Sequence, residues 1–250
     1  MEKINLSLPQ LTTMQQDLSW KTPNQQRVPI GQLEYKNGYY LFQYTKGALK
    51  DNFRPFDGMK YVDRVYESKE LFPFFKNRLL QKSRPEYQDY LRWLNIKEKE
   101  IHPMEELRIT GGIRATDSFE LYPMLTKEKE YVVKFFSRGI RHLAKSYNQR
   151  VEGLEENRKL FLMKDIQNEL DDYALVLRTD NPIELVGYCP SFYNKDFNSL
   201  IQKNGAANIF LKVIRIIQMP HPILKLLCEF RTLWSEGFTS FDDEDFQTVL

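Results

Sequence analysis

Apolar and polar positions change rhythm several times along the chain. Residues 28–35 and 39–44 alternate with a period of two and are joined by Asn37-Gly38, which predicts a hairpin. Residues 71–80 (LFPFFKNRLL) and 84–94 (RPEYQDYLRWL) carry aromatics at helical spacing, with Pro85 at a helix start, and predict two short helices. The segment 105–109 runs into Gly111-Gly112, and residues 118–121 form a brief strand ended by Pro123. Farther on, residues 131–136, 160–163, 173–178, 185–188 and 208–217 read as strands, and 223–230 as a candidate for another. Residues 140–150 and 194–203 read as helices. Short strands at regular spacing with a few helices predict a small β-barrel. Residues 1–25 are polar and interrupted by Pro9 and Pro23, an arm either loosely ordered or laid along a neighbour.

The change of pattern at 124–129 divides the chain into an arm (1–26), a small mixed α+β domain (27–125), a barrel domain (126–234) and a tail (235–250), so the expected fold class is α+β. Its 250 residues suit two domains, and 42% apolar with 28% charged residues suits a folded chain. The longest nearly apolar stretch, 208–217, is broken by Lys212 and Arg215 and falls short of the roughly 20 residues that span a bilayer. The first twenty residues do not read as a secretory signal, and the expected location is cytoplasmic.

Charge is uneven beneath a net value of +2. Residues 127–164 are basic, while the tail carries Glu236, Asp242, Asp243, Glu244 and Asp245 and no base. Such runs are either solvated faces or surfaces for a polyanion. Cys189 and Cys228 sit among apolar neighbours and read as small core residues rather than a disulfide framework. His102, His142 and His221 share no ligand spacing, and the acids at 242–245 lack the spacing of a calcium loop. No nucleophile elbow, Walker loop, dinucleotide fingerprint or H-E-x-x-H occurs. The expectation is no catalytic residue, no metal and no cofactor. Gly111-Gly112 marks a turn or a close backbone approach, with a phosphate cradle as the alternative.

Two resemblances add to this. Gly31-x-Leu33, Phe42-x-Tyr44, Arg54-Pro55, LFPFFKNRLL, Ser83 to Tyr87 and Gly111-Gly112-x-Arg114-x-Thr116-Asp117 together resemble the N-terminal subdomain of HipA-type toxin kinases, over about residues 27–123. No kinase body follows, so this resemblance implies a fold and a protein partner rather than phosphoryl transfer. Arg138-Gly139-Ile140-Arg141-His142-Leu143, then 160–165 with Asn168, Asp171-Asp172-Tyr173-Ala174-Leu175 and Val186-Gly187-Tyr188-Cys189-Pro190 resemble the HIRAN domain, over about 131–230. That resemblance implies an OB-like barrel with short helices that holds single-stranded DNA, with a pocket for the free 3′ end. The positions matching the family's two clamping aromatics are His142 and Leu170, so one ring is replaced by leucine, and Tyr173 stands where members commonly have Asn.

The residues also carry a physical reading. Arg141 and His142 follow Gly139 where a strand turns into a helix, presenting a guanidinium and a planar ring beside backbone amides, which suits a phosphate and a base. Lys164 ends a strand, and Asp171 precedes the next one, where a carboxylate accepts a bond from a sugar hydroxyl. A surface ion pair for Arg141, a bystander role for His142 and turn formation for Asp171 remain open. The expected DNA-binding set is Arg138, Gly139, Arg141, His142, Lys164, Leu170, Asp171, Tyr173 and Tyr188. The expected function is a non-catalytic adaptor for single-stranded DNA or a 3′ DNA end, with the N-terminal half contacting a protein. The alternative is an antitoxin or inhibitor-type module acting on a HipA-like kinase, and no membrane partner is expected.

Overall fold

A computed structural model describes residues 13–94, 96, 101–140, 151–217 and 224–250. Its N-terminal half is built on a five-stranded antiparallel sheet in the order β4-β3-β2-β1-β5, formed by β1 (Thr13–Lys21), β2 (Arg27–Lys36), β3 (Tyr39–Tyr44), β4 (Val65–Ser68) and β5 (Phe119–Pro123). The hairpin between β2 and β3 turns at Asn37 and Gly38, both at positive φ (53° and 84°), as a two-residue turn of this type requires. Thr13–Lys21, expected within the arm, is an interior strand paired with both β2 and β5, so of the two readings open for it the laid-along one holds.

Side chains on a strand alternate between faces. Leu18, Leu33, Phe42 and Leu121 point to one side of this sheet and form a core with Phe75, Met104 and Leu107. Those residues come from α1 (Pro73–Lys76) and α3 (Pro103–Thr110). The segment 105–109 is thus helical, and Gly111 ends it at φ 68°, its N–H donating to Leu107 O at 2.8 Å. Arg78, nearly buried, forms a two-pronged pair with Asp117, donates to Gly112 O at 2.8 Å and lies against the rings of Phe74 and Phe119. The Gly-Gly pair is a turn and a close approach: its second carbonyl is taken by Arg78, and a Cβ on Gly112 would come within 3.0 Å of Leu107 and Leu121. α2 (Tyr87–Trp93) packs Tyr87 and Leu91 against Ile101.

The C-terminal half holds β6 (Glu130–Phe136), β7 (Phe161–Lys164), β8 (Leu175–Arg178), β9 (Leu185–Tyr188), α4 (Ser191–Asn204), β10 (Phe210–Ile216) and β11 (Leu226–Leu233). These strands form two antiparallel sheets, β10-β11-β6 and β7-β8-β9. The expected barrel is not closed: among the described residues the sheets meet edge to edge over short stretches, at the bridges Arg138↔Tyr188 and Lys159↔Lys212, with backbone bonds from Asn157 N to Val213 O, Val213 N to Arg158 O and Leu160 N to Leu211 O beside the second. β7, β8 and β9 are only four residues long, and irregularities at Leu177/Arg178 and, in the longer β10, at Val213/Arg215 bend the ladders and shorten the stretches over which the edges meet. α4 fills the space between the sheets, with Phe197 stacked on Phe230 at 3.9 Å. Cys189 and Cys228 are buried there as free thiols, and burial pushes both thiol pKa values up, as expected of core residues. The helix expected at 140–150 falls, beyond Ile140, outside the described residues, as does His221.

The other face of the first sheet carries Asp17, Ser19, Gln32, Glu120 and Tyr122, and it is buried against the second half. Tyr122 stacks on Phe192 at 4.1 Å, and the tail crosses the same face. The tail is fastened rather than solvated. Asp196 accepts bonds from Tyr131 at 3.0 Å, from the Ser240 hydroxyl and from Phe241 N. Asp243 pairs with Lys195, Glu244 with Lys46 at 2.7 Å, and Asp245 with Lys50. Thr248 bridges Thr45, and Gln32 Nε2 donates to Phe246 O.

Asp17 is fully buried in this interface, and neither of its carboxyl oxygens has a hydrogen-bond partner. Its neighbour Gln32 offsets only part of the cost, its own amide being engaged by Gln15, Gln43 and Phe246. Burial therefore pushes the Asp17 carboxyl up to about 8, and it is protonated at neutral pH. Since the folded chain holds a proton that the unfolded chain releases near pH 4, this group leaves stability intact below that pH. The contribution is lost as pH rises towards 8, at up to about 1.4 kcal/mol per pH unit. Urea unfolding of wild type and Asp17→Asn should therefore show the variant gaining relative to wild type between pH 5 and pH 8. An equal difference at both values would mean that the carboxyl is ionised in the fold.

Candidate nucleic-acid interface

The described members of the expected DNA-binding set are strung along one path. It begins where β6 ends. Arg138 and Tyr188 exchange two backbone hydrogen bonds of 2.8 Å, which ties the end of β6 to the end of β9. Gly187 makes this approach possible: at φ 122°, a Cβ there would lie 1.9 Å from Ser137 Oγ and 2.8 Å from Arg138 O. Gly139, at φ 68°, lies under the Tyr188 ring, and a Cβ there would meet the ring at 3.2 Å.

The Tyr188 hydroxyl donates to Asp165 Oδ2 at 3.0 Å, so burial and the adjacent carboxylate both raise its pKa. Asp165 directly follows the exposed Lys164 and opens a loop that carries the remaining members. Three side chains hold this loop from within by bonds to backbone amides two or three residues on. Asp165 Oδ1 accepts from Gln167 N, Asn168 Oδ1 from Leu170 N and Asp171 N at 3.0 Å each, and Asp171 Oδ1 from Tyr173 N at 2.9 Å. From below, α4 anchors the loop: Asn194 Nδ2 donates to Asp171 Oδ2 at 2.6 Å, and Asn198 Nδ2 to Tyr173 O at 2.9 Å. The fixed loop presents Ile166 (85% exposed), Leu170 (58%) and Tyr173 (45%) to solvent. A carboxylate has about four acceptor positions, and two of those on Asp171 are filled, so it retains capacity for a hydroxyl donor.

Arg138 has a second engagement. Its guanidinium pairs with Glu120 of β5, a side chain only 3% exposed that also holds Arg27 at 2.9 Å. The candidate interface is thus braced from the N-terminal half. Arg141 and His142 lie outside the described residues. Asp171 forms a turn, one of the readings left open for it, and the same bonds hold it half-buried beside Leu170 and Tyr173. Sequence reasoning missed Asn194 and Glu120, because each acts on a residue far away along the chain and belongs to no local motif. Among the described residues no cluster of three metal-ligating side chains occurs, and no helix is long and apolar enough to cross a membrane.

Comparison with known proteins adds a family to this geometry. Residues 131–233 match the family model of the HIRAN domain, a span that includes the whole path from Arg138 to Tyr188 and α4 and none of residues 27–123. Two solved structures are similar to part of the chain. One is a protein from Lactobacillus plantarum solved as a structural genomics target, 16% identical, covering 41% of this chain and 98% of that one, with a TM-score of 0.33. The other is the HIRAN domain of human HLTF, 16% identical, covering 42% and 77%, with a TM-score of 0.32. No curated protein matches the chain.

The brace is testable. Glu120→Ala leaves two partly buried arginines without their counter-charge and should cost about 3 kcal/mol in urea unfolding. Glu120→Gln, which keeps a hydrogen-bond acceptor, should cost clearly less. Equal and negligible losses would show that neither pair contributes.

Proposed function

We propose that the chain is a non-catalytic adaptor that holds single-stranded DNA, or a 3′ DNA end, on its HIRAN-like part, while the N-terminal half meets a protein partner. The observation that carries this reading is the braced loop at 165–174, which sets the unsaturated Asp171 carboxylate between exposed Leu170 and Tyr173 inside the matched span. A terminal sugar needs an acceptor for its hydroxyl and an apolar or aromatic surface for its base, and these residues supply both. Tyr173 supplies a ring beside Leu170, where the resemblance implies an aromatic clamp. Arg138 and Gly139 stand at the other end of the path. Arg141 and His142, outside the described residues, are read from the sequence as a guanidinium for a phosphate and a planar ring for a base. The divisions at 125 and 234 are part of the proposal, with the tail acting as a fastening between the halves, whereas β1 joins the expected arm to the N-terminal sheet and removes the division at 26.

Fluorescence anisotropy with oligonucleotides ending in a 3′-hydroxyl or a 3′-phosphate tests this. Wild type should prefer the hydroxyl by tenfold or more, since a charge-assisted bond contributes about 1.5–3 kcal/mol and the carboxylate repels the phosphate. Asp171→Asn should erase the preference. Because it also gives up the bond from Asn194, Asn194→Ala serves as the control: it loses that bond, keeps the carboxylate and should keep the preference. Arg141→Ala should weaken both oligonucleotides alike and lower the salt slope by about 0.7. Absence of binding by wild type to either end would overturn the DNA reading.

A further inference from the structure

The outer surface of the two C-terminal sheets carries a second feature, away from the Tyr188–Asp165 path. Leu160, Leu175, Leu177, Leu211 and Val213 point into the core. Alternation therefore turns Lys159, Phe161, Arg178 and Lys212 outward. The Phe161 ring lies between two cations, with Lys159 Nζ 4.9 Å and the Arg178 guanidinium carbon 5.1 Å from its centroid. Lys159 faces Lys212 across the antiparallel bridge between the sheets. Continuing that register by two residues on each strand sets Phe210, 60% exposed, on the same side as Phe161. Phe210 in turn faces Arg231 of β11. The acids close by are largely committed: Glu229 and Glu130 to Arg231, Asp180 to Arg158.

Aromatic rings spaced among cations on an open sheet face match the chemistry of a strand whose backbone is anionic and whose bases are unpaired. The row of Phe161 and Arg178 is followed along the sheet by the row of Met163, Val176 and Tyr188, in which Val176 is buried and Met163 is exposed, so Met163 links this face to the candidate interface. We infer that Lys159, Phe161, Arg178, Lys212 and Phe210 form a second platform, on which single-stranded DNA continues beyond the nucleotides held near Tyr188 and Asp171. This inference rests on the reading of the domain as a single-strand binder.

The test compares a thymidine trinucleotide with a thymidine dodecamer, both ending in a 3′-hydroxyl, on the full chain. Wild type should bind the dodecamer at least tenfold more tightly. The double variant Lys159→Gln/Lys212→Gln, at exposed or half-exposed positions, should lower the salt slope for the dodecamer by about 1.4, two phosphate contacts' worth, and leave the trinucleotide unchanged. Phe161→Ala should weaken the dodecamer alone, with circular dichroism confirming the fold. Equal wild-type affinity for both lengths would overturn the platform while end binding stands. Variants that weaken both lengths equally, or neither, would overturn it as well. Failure of wild type to bind either length would overturn both readings together.

Discussion

A carboxylate taken out of water must be met by cations or give up its charge, and the interface between the two halves contains one example of each outcome. Glu120 is met by Arg27 from its own sheet and by Arg138 from the other half. Arg138 is the residue whose backbone joins the ends of β6 and β9, so the same pair that docks the halves also fixes the Gly139–Tyr188 contact. The Tyr188 hydroxyl then reaches Asp165, which opens the loop of Leu170, Asp171 and Tyr173. Asp17, one strand away on the same face, meets no cation and keeps its proton instead.

Only one face of the first sheet is apolar. A polar face of Asp17, Ser19, Gln32, Glu120 and Tyr122 would be stable in water, and burying it is tolerable only where partners arrive with the covering element. Arg138 meets Glu120, the tail backbone accepts from Gln32, and Phe192 of α4 stacks on the Tyr122 ring, whereas Asp17 is left without a partner. Asp243, Glu244 and Asp245 of the acidic run thus fasten the tail to Lys195, Lys46 and Lys50.

Elements whose pattern is local were legible in the sequence. Asn37-Gly38 specifies its hairpin by backbone conformation alone, and the strands of the C-terminal half announce themselves through runs such as Tyr131 to Phe136. The strand β1 was hidden because Gln16 lies on its apolar face, its amide donating to Met104 O, and this breaks the alternation that would have revealed it. For the barrel, strand count and spacing were readable, but closure depends on how bulges bend four-residue strands, which no local pattern encodes. At the candidate interface, motif order brought Leu170, Asp171 and Tyr173 together but not Ile166, the most exposed apolar side chain of the loop. The supports, Asn194 under Asp171 and Glu120 behind Arg138, were not legible either, because pairing across 23 and 18 positions is a property of the fold.

The central claim is that single-stranded DNA is held along the path from Arg138 to Tyr188 and the loop at 165–174. Amide chemical-shift mapping of the labelled full chain during titration with a short single-stranded oligonucleotide tests it most directly. The account predicts shifts concentrated at 138–140, 165–174 and 188, with the apolar core of the first sheet around Leu33 and Phe42 unmoved. Shifts centred on the N-terminal sheet, or none at saturating oligonucleotide, would contradict it.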